Sequence, residues 1–87
     1  MFGLKKIRIR RSSKNLLINY DSQHDILYIS IEEPVPSFSD EEHLKGLYIR
    51  RAQDSGRITG ATVMDYSKRN KQILKKYIPF KVDFNNI

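Results

Sequence analysis

The stretch that most constrains this chain is a pair of β-prone runs separated by five polar residues. Leu16-Leu17-Ile18-Asn19-Tyr20 and Ile26-Leu27-Tyr28-Ile29-Ser30-Ile31 flank Asp21-Ser22-Gln23-His24-Asp25. β-Branched and aromatic side chains crowd a helix but suit a pleated surface, so two such runs around a short polar segment read as a hairpin. In the first run Leu16, Ile18 and Tyr20 alternate onto one face. A second hairpin follows: Gly46 to Ala52, a turn at Gln53-Asp54-Ser55-Gly56 with Gly56 in the left-handed position, and Arg57 to Asp65. Between the hairpins, Pro34 and Pro36 forbid a central strand, although Val35 to Ser39 can run along a sheet edge.

Beyond the second hairpin the period changes from two to that of a helix. Ser67 has the acceptor side chain that a helix start favours, and Pro79 stops the helix. At about 100° per residue, Ile73, Leu74, Tyr77 and Ile78 share one side, while Lys68, Arg69, Lys71, Lys75 and Lys76 cover the other. The tail, Phe80 to Phe84, alternates as a last short strand or an extended segment docked on a neighbour would. At the N-terminus Ile7 and Ile9 alternate with Arg8 and Arg10 before Ser12-Ser13 interrupts the pattern. The expected architecture is α+β: a four- or five-stranded antiparallel β-meander with one C-terminal amphipathic helix packed on one face. Residues 1–14 form a basic arm or edge strand, and residues 15–87 a single domain.

A chain of 87 residues buries only about two-thirds of its unfolded surface, so the core is expected to be one sheet face against one helix. Cysteine is absent, which removes disulfides as a support and makes a homodimer the expected remedy for a thin core. With 39% apolar and 30% charged residues, the composition is that of an ordered, soluble chain. No apolar run follows the basic N-terminus as a signal peptide requires, and no window approaches a membrane span; the cytoplasm is the expected location, without membrane contact.

Several of these segments together resemble a known family. Tyr20-Asp21, Asp25 and Leu27-Tyr28-Ile29 come first, followed by the acidic serine-bearing stretch Phe38 to Glu42 and Gly46 at a strand start. Gly56, Ile58 and Gly60 come next, and Val63-Met64-Asp65-Tyr66-Ser67-Lys68-Arg69 closes the series. In that order they resemble a family of small prokaryotic proteins catalogued as a domain of unknown function, number two-two-eight-three, over roughly residues 17 to 70. The resemblance implies a compact β-meander and a small partner protein, antitoxin-like, beside another small protein. This chain departs from the pattern in its basic N-terminal arm, in Arg50-Arg51 where the family commonly has an acidic residue, and in extending past the helix to Phe84.

Residues able to carry chemistry are sparse. Asp21 and Asp25 flank His24, a grouping that a metal ion or an acid–base reaction would use. Aspartates in turns also bond their own backbone and tolerate tight dihedrals, and that structural role is the one expected. Glu41, Glu42 and His43 form a second cluster without the ligand spacing of a metal motif, as a solvated loop would. There is no Gly-x-Ser-x-Gly elbow, and Gly3, Gly46, Gly56 and Gly60 stand too far apart for a phosphate loop. No catalytic residue, metal or cofactor is expected, and a non-enzymatic role follows. Tyr20, Tyr28 and Tyr48, interleaved with Arg50 and Arg57, offer either a stacking platform for single-stranded nucleic acid or ordinary cross-strand packing, the latter being expected.

Charge is the remaining signal. Residues 1–20 carry six bases and no acid, residues 21–65 four bases and nine acids, and residues 66–87 six bases and one acid, for a net +6. The candidate binding residues are therefore Lys5, Lys6, Arg8, Arg10 and Arg11 of the arm and Lys68, Arg69, Lys71, Lys75 and Lys76 of the helix. If the arm lies beside the helix face, the two form one surface. The leading function is an interaction module, antitoxin-like, holding a small protein partner; the alternatives are a nucleic-acid-binding protein using arm and helix, and a small enzyme or metal protein using Asp21, His24 and Asp25.

Overall fold

A computed structural model describes residues 4–11 and 14–87, with side chains from Leu16 onward except Asn86. The described residues form six strands: β1 (Leu4–Arg11), β2 (Lys14–Asp21), β3 (Ile26–Ile31), β4 (Ser37–Glu41), β5 (Leu47–Ala52) and β6 (Ile58–Met64). A 3₁₀ turn (Tyr66–Lys68), the helix α1 (Lys71–Tyr77) and a second 3₁₀ turn (Phe84–Asn86) complete the chain. The antiparallel α+β class with one C-terminal helix is the one the sequence implies. Residues 4–11 and 37–41 both pair as edge strands, which brings the sheet to six. Of the expected arm, residues 1–3 and 12–13 lie outside the described residues.

The strand order is β1-β2-β3-β6-β5-β4. Two three-strand meanders, β1 to β3 and β4 to β6, are thus joined side by side where β3 meets β6. The link between them, Glu32 to Pro36, leaves the middle of the sheet and delivers the chain to its far edge. That is the long connection of a Greek key, and a segment holding two prolines suits it because it owes the sheet no N–H groups. Between β5 and β6 the register slips: Arg50 faces Gly60, whereas Arg51 faces Ile58. Thr59, the extra residue, is buried and exchanges a 2.8 Å hydrogen bond with the Ser37 hydroxyl.

Register assigns every strand residue to a face. Leu16, Ile18, Leu27, Ile29, Ala61, Val63, Leu47 and Ile49 fall in the rows of the inner face and are all buried. Tyr66, Leu74, Ile78, Val82 and Phe84 close over them. The tail is therefore neither a strand nor a docking segment. Val82 and Phe84 enter this chain's own core, which enlarges it beyond the thin layer the length suggests.

The helix differs from its expected form. Its N-cap is Asn70, whose side chain accepts from Gln72 N at 2.8 Å and Ile73 N at 3.2 Å. Ser67 sits in the preceding 3₁₀ turn and uses its hydroxyl elsewhere. The later start leaves two helical turns, and the apolar face narrows to Leu74 and Ile78, with Tyr77 half-buried and Ile73 44% exposed.

Leu74→Ala is expected to destabilise the fold by about 2–5 kcal/mol, as for a closely packed core leucine. Ile73→Ala should stay within about 0.5 kcal/mol, as at an exposed site. Urea unfolding of the two variants checks which residue belongs to the core.

Candidate functional site

The turn between β2 and β3 holds the residues that looked most like chemistry. Asp25 adopts a left-handed backbone (φ 56°), a conformation that aspartate accepts more readily than bulky residues. Its carboxylate accepts from the Tyr20 hydroxyl at 2.6 Å, from Ser67 N at 2.9 Å and from the Ser67 hydroxyl at 2.7 Å. Its carbonyl accepts from Tyr66 N at 3.0 Å. The Tyr20 and Ser67 hydrogen bonds hold the Asp25 carboxyl below the usual carboxylate range, and the same bond to Asp25 pushes the Tyr20 phenol up. Asp25 is thus a clasp that joins residues 42 apart in sequence and fixes where the chain leaves β6 for the helix.

Asp21 caps the same turn. It accepts from Gln23 N at 3.0 Å, His24 N at 3.2 Å and His24 Nδ1 at 2.7 Å, and the imidazole contact is the main cause of its lowered pKa. Among the described residues no group of three His, Asp or Glu side chains converges as a metal site would. The acidic loop is committed as well. Glu41 accepts from Gly46 N at 2.7 Å, Glu42 pairs with Arg51 at 3.0 Å, and His43 stacks on Tyr77 with ring centroids 5.4 Å apart.

The helix cations divide into two groups. Arg69 donates from Nε to Met64 O at 2.9 Å and from Nη2 to Lys45 O at 2.6 Å, lying across Gly46, where any Cβ would strike its guanidinium. Gly46 also has φ +82°, so two independent constraints call for glycine there. Lys71 donates to Tyr66 O and Arg69 O, each at 3.1 Å, and lies 4.2 Å from the centre of the Tyr66 ring. These two cations tie the segment between β6 and α1 to the carbonyls of Met64, Lys45, Tyr66 and Arg69. Lys68, Lys75 and Lys76 remain exposed. The backbones of Lys5, Lys6, Arg8, Arg10 and Arg11 lie in β1, but their side chains fall outside the described residues. By register Lys6, Arg8 and Arg10 stand opposite Asn19, Leu17 and Asn15, in outer-face rows, whereas the helix covers the inner face.

That outer face is the arrangement least visible in the sequence. One row runs Asn19, Tyr28, Thr62, Tyr48, Glu41 across five strands, and the next runs Leu17, Ser30, Gly60, Arg50, Ser39. Tyr28, Thr62 and Tyr48 are half-buried. Tyr20 leaves the expected tyrosine group for the inner face and packs edge-on against Tyr66 at 5.7 Å. Arg57 stays in the β5–β6 turn beside Asp54. Arg50 instead reaches across Gly60, donating from Nη2 to Ile29 O and, at 3.2 Å, to the Ser30 hydroxyl. A Cβ at residue 60 would collide with both Ile29 O and this guanidinium. Burial pulls the Arg50 pKa down, its Nε is buried without a partner, and no carboxylate among the described residues pairs with it.

Clefts open on the described surface at two places of interest. One of about 550 Å³ lies beside the tail, between Lys75 and Phe80 to Asp83. The other, about 530 Å³, adjoins the outer face and is lined by Tyr48, Met64, Lys45, Lys68, Glu41 and Asp65 among others. No helix among the described residues is long and apolar enough to cross a membrane. Comparison of the chain with protein-family models, with curated proteins and with solved structures finds no match.

The Asp25 clasp predicts a pH signature. Its pKa is lower in the folded state than in the unfolded chain, so its stabilisation is complete above the unfolded value of about 4 and fades as pH falls through the folded one. Asp25→Asn should lower Tm at pH 7, and the gap to the parent should narrow in melts recorded at successively lower pH below about 4.

Proposed function

We propose that the chain is a non-enzymatic interaction module that holds a small protein partner along a sheet edge, antitoxin-like in role. The observation that carries this is β4. It is a terminal strand of the sheet, so one side of its backbone has no neighbouring strand, and Phe38 on it is 60% exposed. Edge strands offer unpaired N–H and C=O groups to an incoming strand, and an exposed aromatic beside them supplies the apolar anchor that such pairing lacks by itself. Other support is chemical. Asp21, Asp25, Glu41 and Glu42 already serve turns, a strand start and an ion pair. The family resemblance over residues 17 to 70 points the same way, toward a small protein beside a second small protein.

The two edges also bear on the expected homodimer. β1 carries Lys5, Lys6, Arg8, Arg10 and Arg11 without an acid, and β4 carries Asp40 and Glu41 without a base. A two-fold dimer through an edge would set like charges together, whereas joining β1 to β4 of a second copy would not close at two. A different small protein therefore fits the edges better than a second copy.

A tagged full-length chain is expected to recover one stoichiometric small protein from native extract. Phe38→Lys should reduce that recovery at least tenfold while leaving stability within about 0.5 kcal/mol, since the side chain is exposed. Recovery of no stoichiometric protein by the parent chain counts against the reading.

A further inference from the structure

We propose that the uncovered outer face of the sheet binds single-stranded nucleic acid, with Tyr28 and Tyr48 as stacking surfaces and Arg50, Lys45 and Lys68 as phosphate contacts. This goes beyond the edge-mediated partner and uses a different surface. Tyr28 and Tyr48 stand in one row on either side of Thr62, so their backbones are two strand spacings apart, about 10 Å. Neither phenol hydroxyl hydrogen-bonds to a described residue, and the described segments that follow β6 pack on the opposite, inner face. Thr62 between them is small enough to leave the gap open. Two aromatic rings on β3 and β5, one strand apart across β6 and with the helix on the opposite face, form a surface on which bases stack whatever their identity.

Charge selects this occupant over an acid-free protein surface or a second copy. Arg50 has no carboxylate partner among the described residues, and only its Nη2 is engaged by hydrogen bonds. Its Nη1 makes no hydrogen bond to a described residue and is not among the buried unpartnered atoms, which leaves one edge of the fork for an incoming oxygen. Gly60 is what allows the fork to lie flat on the sheet beside the tyrosines. At the other end of the row, Tyr48 forms a wall of the cleft that Lys45 and Lys68 line. On the β1 side the rows continue by register to Lys6 and Arg8. Arg50 in the adjoining row and Lys45 and Lys68 in the cleft, which Glu41 and Asp65 also line, thus lie beside the aromatic pair, so a flexible single strand crossing the sheet meets a base-stacking centre and phosphate contacts next to it. A duplex, with its bases already stacked inside, has no use for the tyrosines.

Fluorescence anisotropy of a labelled oligouridylate or oligothymidylate of about 10 nucleotides, within the usual site size, tests this on the full chain. At about 50 mM salt the parent is expected to bind single strands more tightly than a duplex of the same length, with a log–log salt slope of about −2 for three phosphates. Tyr28→Ala and Tyr48→Ala should each weaken binding about 5- to 100-fold, and Tyr→Phe at either position should retain it. Should the alanine variants fail to fold, Thr62→Glu and Thr62→Lys decide, the former losing and the latter keeping affinity for the same strand. No binding by the parent, equal affinity for duplex, or unchanged binding by the alanine or Thr62→Glu variants overturns the proposal. So does a face that ignores single strands while Tyr28→Ala and Tyr48→Ala lose a captured protein, which would make it a protein interface. Because Phe38→Lys lies on the β4 edge, its effect on partner recovery is read independently of these outcomes.

Discussion

Residues 26–30 of β3 pair with residues 60–64 of β6, and at this seam two units that are each local in sequence become one sheet. The inner rows crossing the seam, Ile29 with Ala61 and Leu27 with Val63, are fully buried, so pairing and apolar burial are achieved by the same residues. Closing the loop between them costs chain entropy that neither hairpin has to meet by itself. Three contacts act close to the seam. Asp25 clasps Ser67 at one end, Arg50 bridges β5 to β3 over Gly60, and the C-terminal segment seals the inner face. The placement of the helix, the identity of the open face and the assignment of the two edges all follow from that pairing.

A second theme is how the chain uses its charge. Net positive charge in a small domain usually reads as a solvated or anion-binding surface. Here Arg69, Lys71 and Arg50 donate to backbone carbonyls at a strand start, a helix start and the middle of the sheet. An extended cationic side chain satisfies several carbonyls that secondary structure leaves unpaired, while its aliphatic stem covers apolar surface. The cations that remain for a ligand are therefore fewer and differently placed than the charge pattern implies. Lys75 and Lys76 lie on the helix over the inner face, and Lys45 and Lys68 lie in the cleft beside Tyr48. By register the arm divides: Lys6, Arg8 and Arg10 stand in the outer-face rows, whereas Lys5 stands opposite Tyr20 in an inner-face row.

The acidic residues have been distributed in a similar way. Asp21 and Asp25 with His24 gave the chain its nearest approach to a catalytic or metal grouping, yet each carboxylate is occupied by donors of the turn or of the segment it anchors. Asp25 does what a turn aspartate does locally and adds a long-range role, since the donors that stabilise its left-handed backbone come from the start of the next element. What is left for interaction is backbone at the edges, Phe38, and an aromatic face with an uncompensated guanidinium. None of these needs cofactor or nucleophile to act.

Much of this was legible in the chain itself. Alternation, β-branching and Gly56 specify two hairpins, proline confines residues 34–36 to a connection, and helical spacing after residue 66 places one short helix at the C-terminal end, because these signals depend on neighbours a few residues apart. The same local logic placed Leu16, Ile18 and Tyr20 on one face. It left the inward face of β3 unassigned. Nor did it show that Ser67 would serve Asp25 rather than cap the helix, that Val82 and Phe84 would enter the core, or that Tyr28 and Tyr48 would share a row without Tyr20. Each of those outcomes is settled by partners on other elements of the chain, through register and burial that exist only once β3 and β6 have met.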